Sequence, residues 1–339
     1  MPHRAPRRHF LGLAARWAAA GTLASQGWVR AQAPAPGAWP TKAVRLVVPV
    51  GAGGTTDILA RAVGQALQQL TGQPFVVDLK PGANGAIGAV EVMRQPADGY
   101  TLLVGTASTH GIAPAVIPNL GFGVDDFTPL SLLADPPAVL MVSPKLGIKS
   151  LRELVELARS KPGVLNYYST GVGSYTHLMS VLLEQSAKVK MTNVPYKGFG
   201  QAYPDLVSGA THVTWDAIAS AQPYVKDGRL TGLAVTGTKR APSLPDLPTV
   251  TEALAQMGLP GFSSTAWFGL YGPRGMAPDL ARQISDAVNK ALKSSDLQAR
   301  YAQLGLDPVQ SSPAEFGAMW KADVERWRRV VRETGIKVE

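Results

Sequence analysis

The sequence contains no cysteine among its 339 residues. This absence excludes disulfide bridges, thiolate metal sites and cysteine nucleophiles. Histidine is scarce too: after the N-terminal region only His110, His177 and His212 remain, without the His-x-x-x-His or glutamate-flanked spacing of zinc enzymes. We therefore predict no metal site and no cofactor.

Long apolar runs and long basic runs are also missing. No segment after residue 33 approaches the roughly 18–20 apolar residues that span a bilayer. The net charge is +9, but residues 1–33 contribute five arginines and no acidic residue, which leaves the rest of the chain at +4. That remainder has no Lys/Arg run of the length typical of nucleic-acid-binding surfaces, so we predict no nucleic-acid partner.

The first 33 residues have the pattern of an export signal. Arg7 and Arg8 precede an apolar stretch over 10–24, and small residues after it offer cleavage sites. The arginine pair is typical of a twin-arginine signal. An uncleaved membrane anchor is the alternative, but the apolar stretch is short and Arg16 interrupts it. We expect the export signal within residues 1–33 to be removed, by cleavage near Ala31 or after Ala33, which leaves a soluble mature protein in the periplasm.

The chain does contain a recurring order of β-branched run, glycine turn and amphipathic helix. Residues 42–49 predict a buried parallel strand, the turn 51–57 follows it, and apolar residues at helical spacing come next. The same order recurs at 165–169, 170–174 and 175–186. Alternation of strands and helices predicts an α/β protein with two lobes and mostly parallel sheets.

The two glycine turns are the strongest candidates for a binding site. In α/β sheets ligands collect at the carboxyl ends of strands, where helix N-termini present free N–H groups and partial positive charge. Glycine lets a ligand approach the backbone, so a small anion is the expected ligand. Either turn alone is equally well explained as an ordinary glycine turn that connects a strand to a helix. The pair, in an exported chain with two lobes, favours binding.

A nucleotide-binding enzyme is one competing interpretation. Gly51 and Gly53 follow a predicted strand, and Asp78 ends the next strand where a ribose-binding acid would lie. The third glycine position of that motif is Thr56, however, and the chain has no Gly-Lys-Ser/Thr phosphate loop. This alternative is therefore weakly supported.

An exported hydrolase is the other competing enzyme class. Ser169, His177 and Asp216 could supply a nucleophile, a base and an orienting carboxylate, yet no serine lies in a Gly-x-Ser-x-Gly elbow. A hydrogen-bonded structural histidine also explains His177 better than a general base does. We therefore predict that the protein is not an enzyme and has no catalytic residues.

Five motifs in a fixed order carry a family resemblance. They are residues 48–57 (VPVGAGGTTD), 80–89 (KPGANGAIGA), 97–103 (ADGYTLL), 171–178 (GVGSYTHL) and 194–198 (VPYKG). Their succession resembles that of the receptors of tripartite tricarboxylate transporters, also called Bug-type periplasmic binding proteins. The resemblance covers essentially all of the chain after the signal.

The resemblance implies a type II periplasmic-binding-protein fold, in which two α/β lobes joined by two crossover strands enclose a ligand cleft. It implies a first lobe of 34–137 with 265–339 and a second lobe of 138–264. A receptor of this kind captures a small organic carboxylate and delivers it to an integral-membrane permease, although a receptor used for sensing would have the same fold. We further expect a monomer.

The family resemblance also implies recognition of the carboxylate through backbone amides and ordered water. Asp216 either selects a donor group on the distal part of the ligand or caps the next helix, and the sequence leaves both open. The family often has an aromatic residue where this chain has Val50, so no particular ligand can be carried over. The predicted ligand-binding residues are Gly51, Ala52, Gly53, Gly54, Thr55, Thr56, Thr106, Ser108, Thr170, Gly171, Ser174 and Asp216.

Overall fold

The computed structural model describes residues 39–334, and the predicted export signal lies outside them. Within the described residues ten strands form two five-stranded sheets. None of the helices in this part of the chain is long and apolar enough to cross a bilayer.

The regular elements alternate between strands and helices along most of the chain. The strands are β1 (Val44–Val48), β2 (Phe75–Leu79), β3 (Thr101–Thr106), β4 (Phe127–Ala134), β5 (Ala138–Val142), β6 (Asn166–Ser169), β7 (Thr192–Pro195), β8 (Val213–Ala217), β9 (Thr231–Val235) and β10 (Phe268–Pro273). The α-helices are α1 (Thr55–Thr71), α2 (Ala86–Met93), α3 (Ala113–Val116), α4 (Leu151–Ser160), α5 (Tyr175–Ala187), α6 (Phe199–Ser208), α7 (Ile218–Lys226), α8 (Val250–Ala255), α9 (Pro278–Leu292), α10 (Ser295–Gln303) and α11 (Pro313–Thr334).

The two sheets have the same strand order and the same directions. The first runs β2-β1-β3-β10-β4, with β1 parallel to β2 and β3 and with β10 antiparallel to both of its neighbours. The second runs β7-β6-β8-β5-β9, with β6 parallel to β7 and β8 and with β5 antiparallel to both neighbours. In each sheet four strands therefore point one way and one returning strand points the other. The predicted fold class, two α/β lobes, is confirmed.

The chain passes between the sheets twice, first after β4 and again between β9 and β10, and the two passages lie side by side. Ala266 N in the second passage donates to Pro136 O in the first at 2.8 Å, and within the second passage Ser264 N donates to Thr236 O at 3.0 Å. Regular strand structure in the second passage begins only at Phe268. Paired segments that cross between two lobes are where a hinge is expected.

Helix α1 shows how the sequence positions the site. Leu59, Val63 and Leu67 lie on one face and are at most 2% exposed, and each buried side chain of this size contributes about 1.5–3 kcal/mol relative to exposure. Gly72, in the left-handed conformation with φ 73°, ends the helix and donates to Gln68 O at 2.8 Å. Packing of this face thus holds the helix in place, and its N-terminus at Gly54 lies beyond the end of β1.

Candidate ligand-binding site

A cavity of about 80 Å³ lies between the two lobes. That volume holds several water molecules or a small organic molecule. The first sheet and its connections supply Val50, Gly54, Thr55, Thr56, Thr106, Ala107, Ser108, Ala266, Trp267 and Phe268. The second sheet and its connections supply Thr170, Tyr175, Thr176, Phe199, Trp215, Asp216 and Ala217.

The N-terminus of α1 brings unpaired backbone donors to this cavity. Its N-cap, Gly54, has no side chain to accept their hydrogen bonds, and Ile58 N is the first amide that reaches a carbonyl, Gly54 O at 3.2 Å. The amides of Thr55 and Thr56 come before that point and have no acceptor among the described residues. Both residues are buried, at 3% and 5% exposure. A buried, unpaired helix N-terminus is arranged for an anion.

Asp57 holds the first turn in place and does not line the cavity. Its Oδ2 accepts from Gly53 N at 3.1 Å, and its Oδ1 pairs with Arg61 Nε at 2.7 Å. The carboxylate at the helix start is thus already neutralised by a partner on the next turn. It leaves the neighbouring amides of the helix free.

The end of β3 contributes hydroxyl groups at a π-helical turn, Ala107–Ile112. Thr106 caps this turn: its Oγ1 accepts from Thr109 N at 3.1 Å, while Thr109 Oγ1 accepts from Thr106 N at 3.0 Å. Ser108 Oγ accepts from Tyr175 N at 3.1 Å, a hydrogen bond between the lobes. The turn therefore both lines the cavity and ties the lobes together.

In the glycine turn of the second lobe, backbone amides donate hydrogen bonds to side chains of the same lobe. Ser174 is the N-cap of α5, and its Oγ accepts from His177 N at 3.3 Å. Most other amides of the turn also have partners, whereas Val172 N has no acceptor among the described residues. These bonds run from Thr170 N to Thr176 Oγ1 at 3.1 Å, from Gly171 N to Ser169 Oγ at 3.2 Å and from Gly173 N to His177 Nδ1 at 3.1 Å. The two turns are therefore not equivalent, in contrast to the expectation of two sets of free backbone donors.

These bonds also bear on the hydrolase interpretation. His177 is 8% exposed, and burial lowers its pKa, so the ring is neutral at neutral pH. Its Nδ1 accepts from a backbone amide, and Ser169 Oγ likewise accepts from Gly171 N. Neither residue bonds to Asp216, so the three side chains do not form a triad. Among the described residues no group of three or more His, Asp or Glu side chains could hold a metal ion.

Asp216, at the end of β8, is a buried carboxyl group on the cavity wall. Its Oδ2 accepts from Tyr203 OH at 2.7 Å and from Ser220 Oγ, and its Oδ1 accepts from Ala217 N at 2.7 Å. Burial raises the pKa of Asp216 to about 7, against the opposing effect of these three donors. The N-cap of α7 is Ala217, so Asp216 adjoins the helix start without being its cap.

Aromatic side chains form the apolar part of the cavity, and their polar atoms are bonded to other residues. Trp267 Nε1 donates to Asp323 Oδ2 at 2.8 Å, and Trp215 Nε1 donates to Ser180 Oγ at 3.2 Å. Phe199 lies against Gly54, where a Cβ would come within 3.0 Å of the ring. No lysine, arginine or histidine lines the cavity in the described part of the chain. An anion there must be held by backbone amides and hydroxyl groups.

The lobes are closed over this cavity. Asn84 Nδ2 donates to Val172 O at 2.7 Å, and the hydroxyls of Thr55 and Ser220 lie 2.8 Å apart. A larger cleft of about 680 Å³ adjoins the cavity and shares several lining residues with it. The shared residues are Val50, Ser108, Thr170 and Phe199.

The structure brings most of the predicted site residues to one place. Those that line the 80 Å³ cavity are Gly54, Thr55, Thr56, Thr106, Ser108, Thr170 and Asp216. Gly51 and Gly171 line the adjoining cleft. Ala52 and Gly53 are exposed in the first turn, and Ser174 is buried as a helix cap. The sequence interpretation missed Tyr175, Thr176, Phe199, Trp215 and Trp267.

Comparison with known proteins identifies the family. Residues 59–336 match the model of the tripartite tricarboxylate transporter family receptor. The chain belongs to this family. Protein BugT of Bordetella pertussis is 31% identical over 303 residues, which cover 89% of this chain and 92% of BugT. The predicted family and the predicted role as a solute-binding receptor are confirmed.

Solved structures agree with this chain in fold and in class of protein. An R. palustris protein solved with adipate is 36% identical, with a TM-score of 0.84 over 88% of this chain and 99% of that one. The periplasmic binding protein BugD is 29% identical, with a TM-score of 0.83 over 88% and 99%. MatC from Rhodopseudomonas palustris, solved with bound malate, is 35% identical, with a TM-score of 0.80 over 86% and 99%. This receptor therefore has the periplasmic-binding-protein fold that was predicted.

Proposed function

We propose that this receptor binds a small organic carboxylate in the cavity between the lobes, with the carboxylate group against the N-terminus of α1. The observation that carries the proposal is the pair of buried, unpaired amides at Thr55 and Thr56. A carboxylate supplies the missing acceptors and meets the positive end of the helix dipole. Two similar receptors solved with adipate and malate support the same ligand class.

Five further predicted ligand-binding residues belong to the proposed site. Thr106 and Ser108 bring hydroxyl groups from the first lobe, and Thr170 faces them from the second. Gly51 and Gly171 flank the route into the cavity through the adjoining cleft. Aromatic walls then enclose the apolar part of the ligand.

We propose that the receptor works in the periplasm as a monomer without catalytic activity. An export signal within residues 1–33 is removed, and the lobes span 34–137 with 265–339 and 138–264. Hinge motion at the paired passages opens and closes the cleft, and the closed receptor delivers its ligand to an integral-membrane permease. The family to which the chain belongs supports this partner.

A thermal-shift screen of the mature protein against a panel of carboxylates tests the ligand class. A ligand present at 100 times its dissociation constant should stabilise the protein by about 2.7 kcal/mol. Neutral sugars and organic cations serve as controls. Stabilisation by sugars or cations with none by any acid would overturn the proposal.

A matched pair of variants tests the role of the helix amides. Thr55 is the first residue of α1, a position where proline is tolerated, so Thr55→Pro removes the amide donor without breaking the helix. Thr55→Val keeps the amide and removes only the hydroxyl. We expect carboxylate affinity to fall about tenfold further in the proline variant than in the valine variant, measured by calorimetry. Equal affinities would show that the amide does not bind the ligand.

A further inference from the structure

Asp216 lies unusually close to the place proposed for the ligand's carboxylate. Among the described residues it is the only carboxyl group that lines the cavity, and it is 4% exposed. Ser220 Oγ donates to Asp216 and lies 2.8 Å from Thr55 Oγ1. Two hydrogen bonds therefore connect this carboxyl group to the first residue of α1.

A second carboxylate at that position creates an electrostatic conflict. Two ionised carboxylates a few ångströms apart in a buried site repel strongly, and such pairs share a proton or acquire a positive partner. The donors to Asp216 are the neutral groups of Tyr203, Ser220 and Ala217, and no cationic side chain lines the cavity. Compensation must therefore come from the ligand or from a proton.

We propose that Asp216 makes the site selective for the group next to the ligand's carboxylate. A hydroxyl or ammonium group there donates to ionised Asp216, whereas an acid without such a donor binds together with one proton. This inference rests on the proposed carboxylate position at α1. It also differs from both roles that the sequence leaves open for Asp216, at the distal end of the ligand or as a helix cap, because it places Asp216 at the carboxylate end.

Among the titratable groups near Asp216, Asp216 itself is the group that takes up and releases this proton. Helix α5, which packs against β8, carries His177 and Glu184, and helix α7, which also packs against β8, carries Lys226. Tyrosines lie on the packed elements and among the donors to Asp216. Burial raises the pKa of Tyr168 and of Tyr203, and Asp216 raises both further, so these phenols keep their protons. Burial raises the pKa of Asp216 to about 7, and its hydrogen-bond donors Ser220, Tyr203 and Ala217 oppose that rise. Its proton is therefore exchanged near neutral pH.

Succinate, malate and aspartate test the proposal because they differ only in the group next to one carboxylate. Adipate is added as a longer acid without a donor. Affinities are measured by calorimetry at pH 6 and pH 8.5 for the wild type and Asp216→Asn. In the wild type we expect succinate or adipate to bind more weakly at pH 8.5, by about tenfold per pH unit above the pKa, and aspartate to change least. In Asp216→Asn this pH dependence disappears, and aspartate affinity at pH 8.5 falls at least tenfold.

Three further measurements separate the possible outcomes. Glu184→Gln alters another buried carboxyl group, one that accepts from Met191 N and does not line the cavity, and it should leave the pH dependence unchanged. Ser220→Ala removes a donor to ionised Asp216 and should shift the pH midpoint upward. Proton uptake in weakly buffered solution at pH 8 should be about one per succinate or adipate bound in the wild type and none in Asp216→Asn.

The proposed function and this inference fail in different ways. If no acid of the series or of the carboxylate panel binds at either pH, both are wrong. If acids bind but the wild type and Asp216→Asn show the same pH dependence and the same preference among the four acids, the carboxylate site stands and the role of Asp216 is wrong.

Discussion

The two glycine turns have the same place in their lobes but differ in what they offer a ligand. Each follows a strand and opens a helix, at Thr55 in the first lobe and at Tyr175 in the second. The first turn has Gly54 at its N-cap and leaves amides unpaired inside the cavity. The second has Ser174 at its N-cap, and most amides of that turn are bonded to hydroxyl and imidazole groups. The Ser174 hydroxyl accepts from the amide of His177, whereas Gly54 offers no side chain to accept from the amides of α1.

Gly54→Ser should have the largest effect, because it gives the first turn the cap of the second. Gly54 has φ −84° and ψ 168°, a conformation that serine adopts readily, so its hydroxyl can accept from the amides of the first helical turn. We expect carboxylate affinity to fall about 10- to 100-fold, the loss of about one hydrogen bond to a charged group. The free energy of unfolding should change by only a few tenths of a kcal/mol.

Gly54→Ala is the matched control for that change. It adds the same Cβ, which comes within 3.0 Å of the Phe199 ring, without adding an acceptor. If alanine weakens binding as much as serine does, crowding against Phe199 and not capping is the cause. Wild-type affinity in Gly54→Ser would contradict the comparison altogether.

Ser174→Ala is the converse change in the second turn, with a smaller expected effect. It removes the acceptor of His177 N, so the free energy of unfolding should fall by about 1 kcal/mol, as for other N-cap serines. Ligand affinity should change less than in Gly54→Ser because Ser174 does not line the cavity. Urea denaturation with and without ligand measures both quantities. A larger loss of affinity than in Gly54→Ser would reverse the assigned roles of the two turns.

His177→Asn should give the smallest effect, visible only in the pH dependence of stability. Burial places the folded-state pKa of His177 below the unfolded value, so the unfolded state takes up the proton first. That contribution to stability is complete above about pH 6.5 and is lost as pH falls towards the folded-state pKa. Asparagine can still accept from Gly173 N but does not titrate in this range. The difference in unfolding free energy between pH 7.5 and pH 5 should therefore be smaller in the variant; an unchanged difference would mean that His177 is not buried in its neutral form.

Much of the fold and half of the site follow from local patterns in the chain. The apolar stripe of α1 and the glycines before it depend on neighbours a few residues apart, and these local patterns pointed to Thr55 and Thr56, which line the cavity. The capped helix start of the second turn could also have been predicted from the sequence. Serine at position 174, with Thr176 and His177 directly after it, is the composition of a capped helix start.

The aromatic wall could not be predicted because it depends on closure of the lobes. Phe199 opens α6, Trp215 lies in β8 and Trp267 belongs to the second passage between the sheets. No spacing in the sequence relates these three positions, and each alone is as consistent with an ordinary core residue. The pairing of Thr55 with Ser220 likewise joins residues 165 positions apart. Such contacts are set by how two separately packed lobes meet.

The position of β10 has a consequence for how the molecule is made. The second sheet consists of a continuous stretch, 138–235, whereas the first lacks a strand between β3 and β4 until residues 268–273 have been synthesised. A nascent chain that ends before β10 exposes two unpaired strand edges, the kind of surface that promotes aggregation. The lobe that begins earlier in the chain is thus the later of the two to be completed. Truncation from the C-terminus therefore disrupts the first sheet before the second.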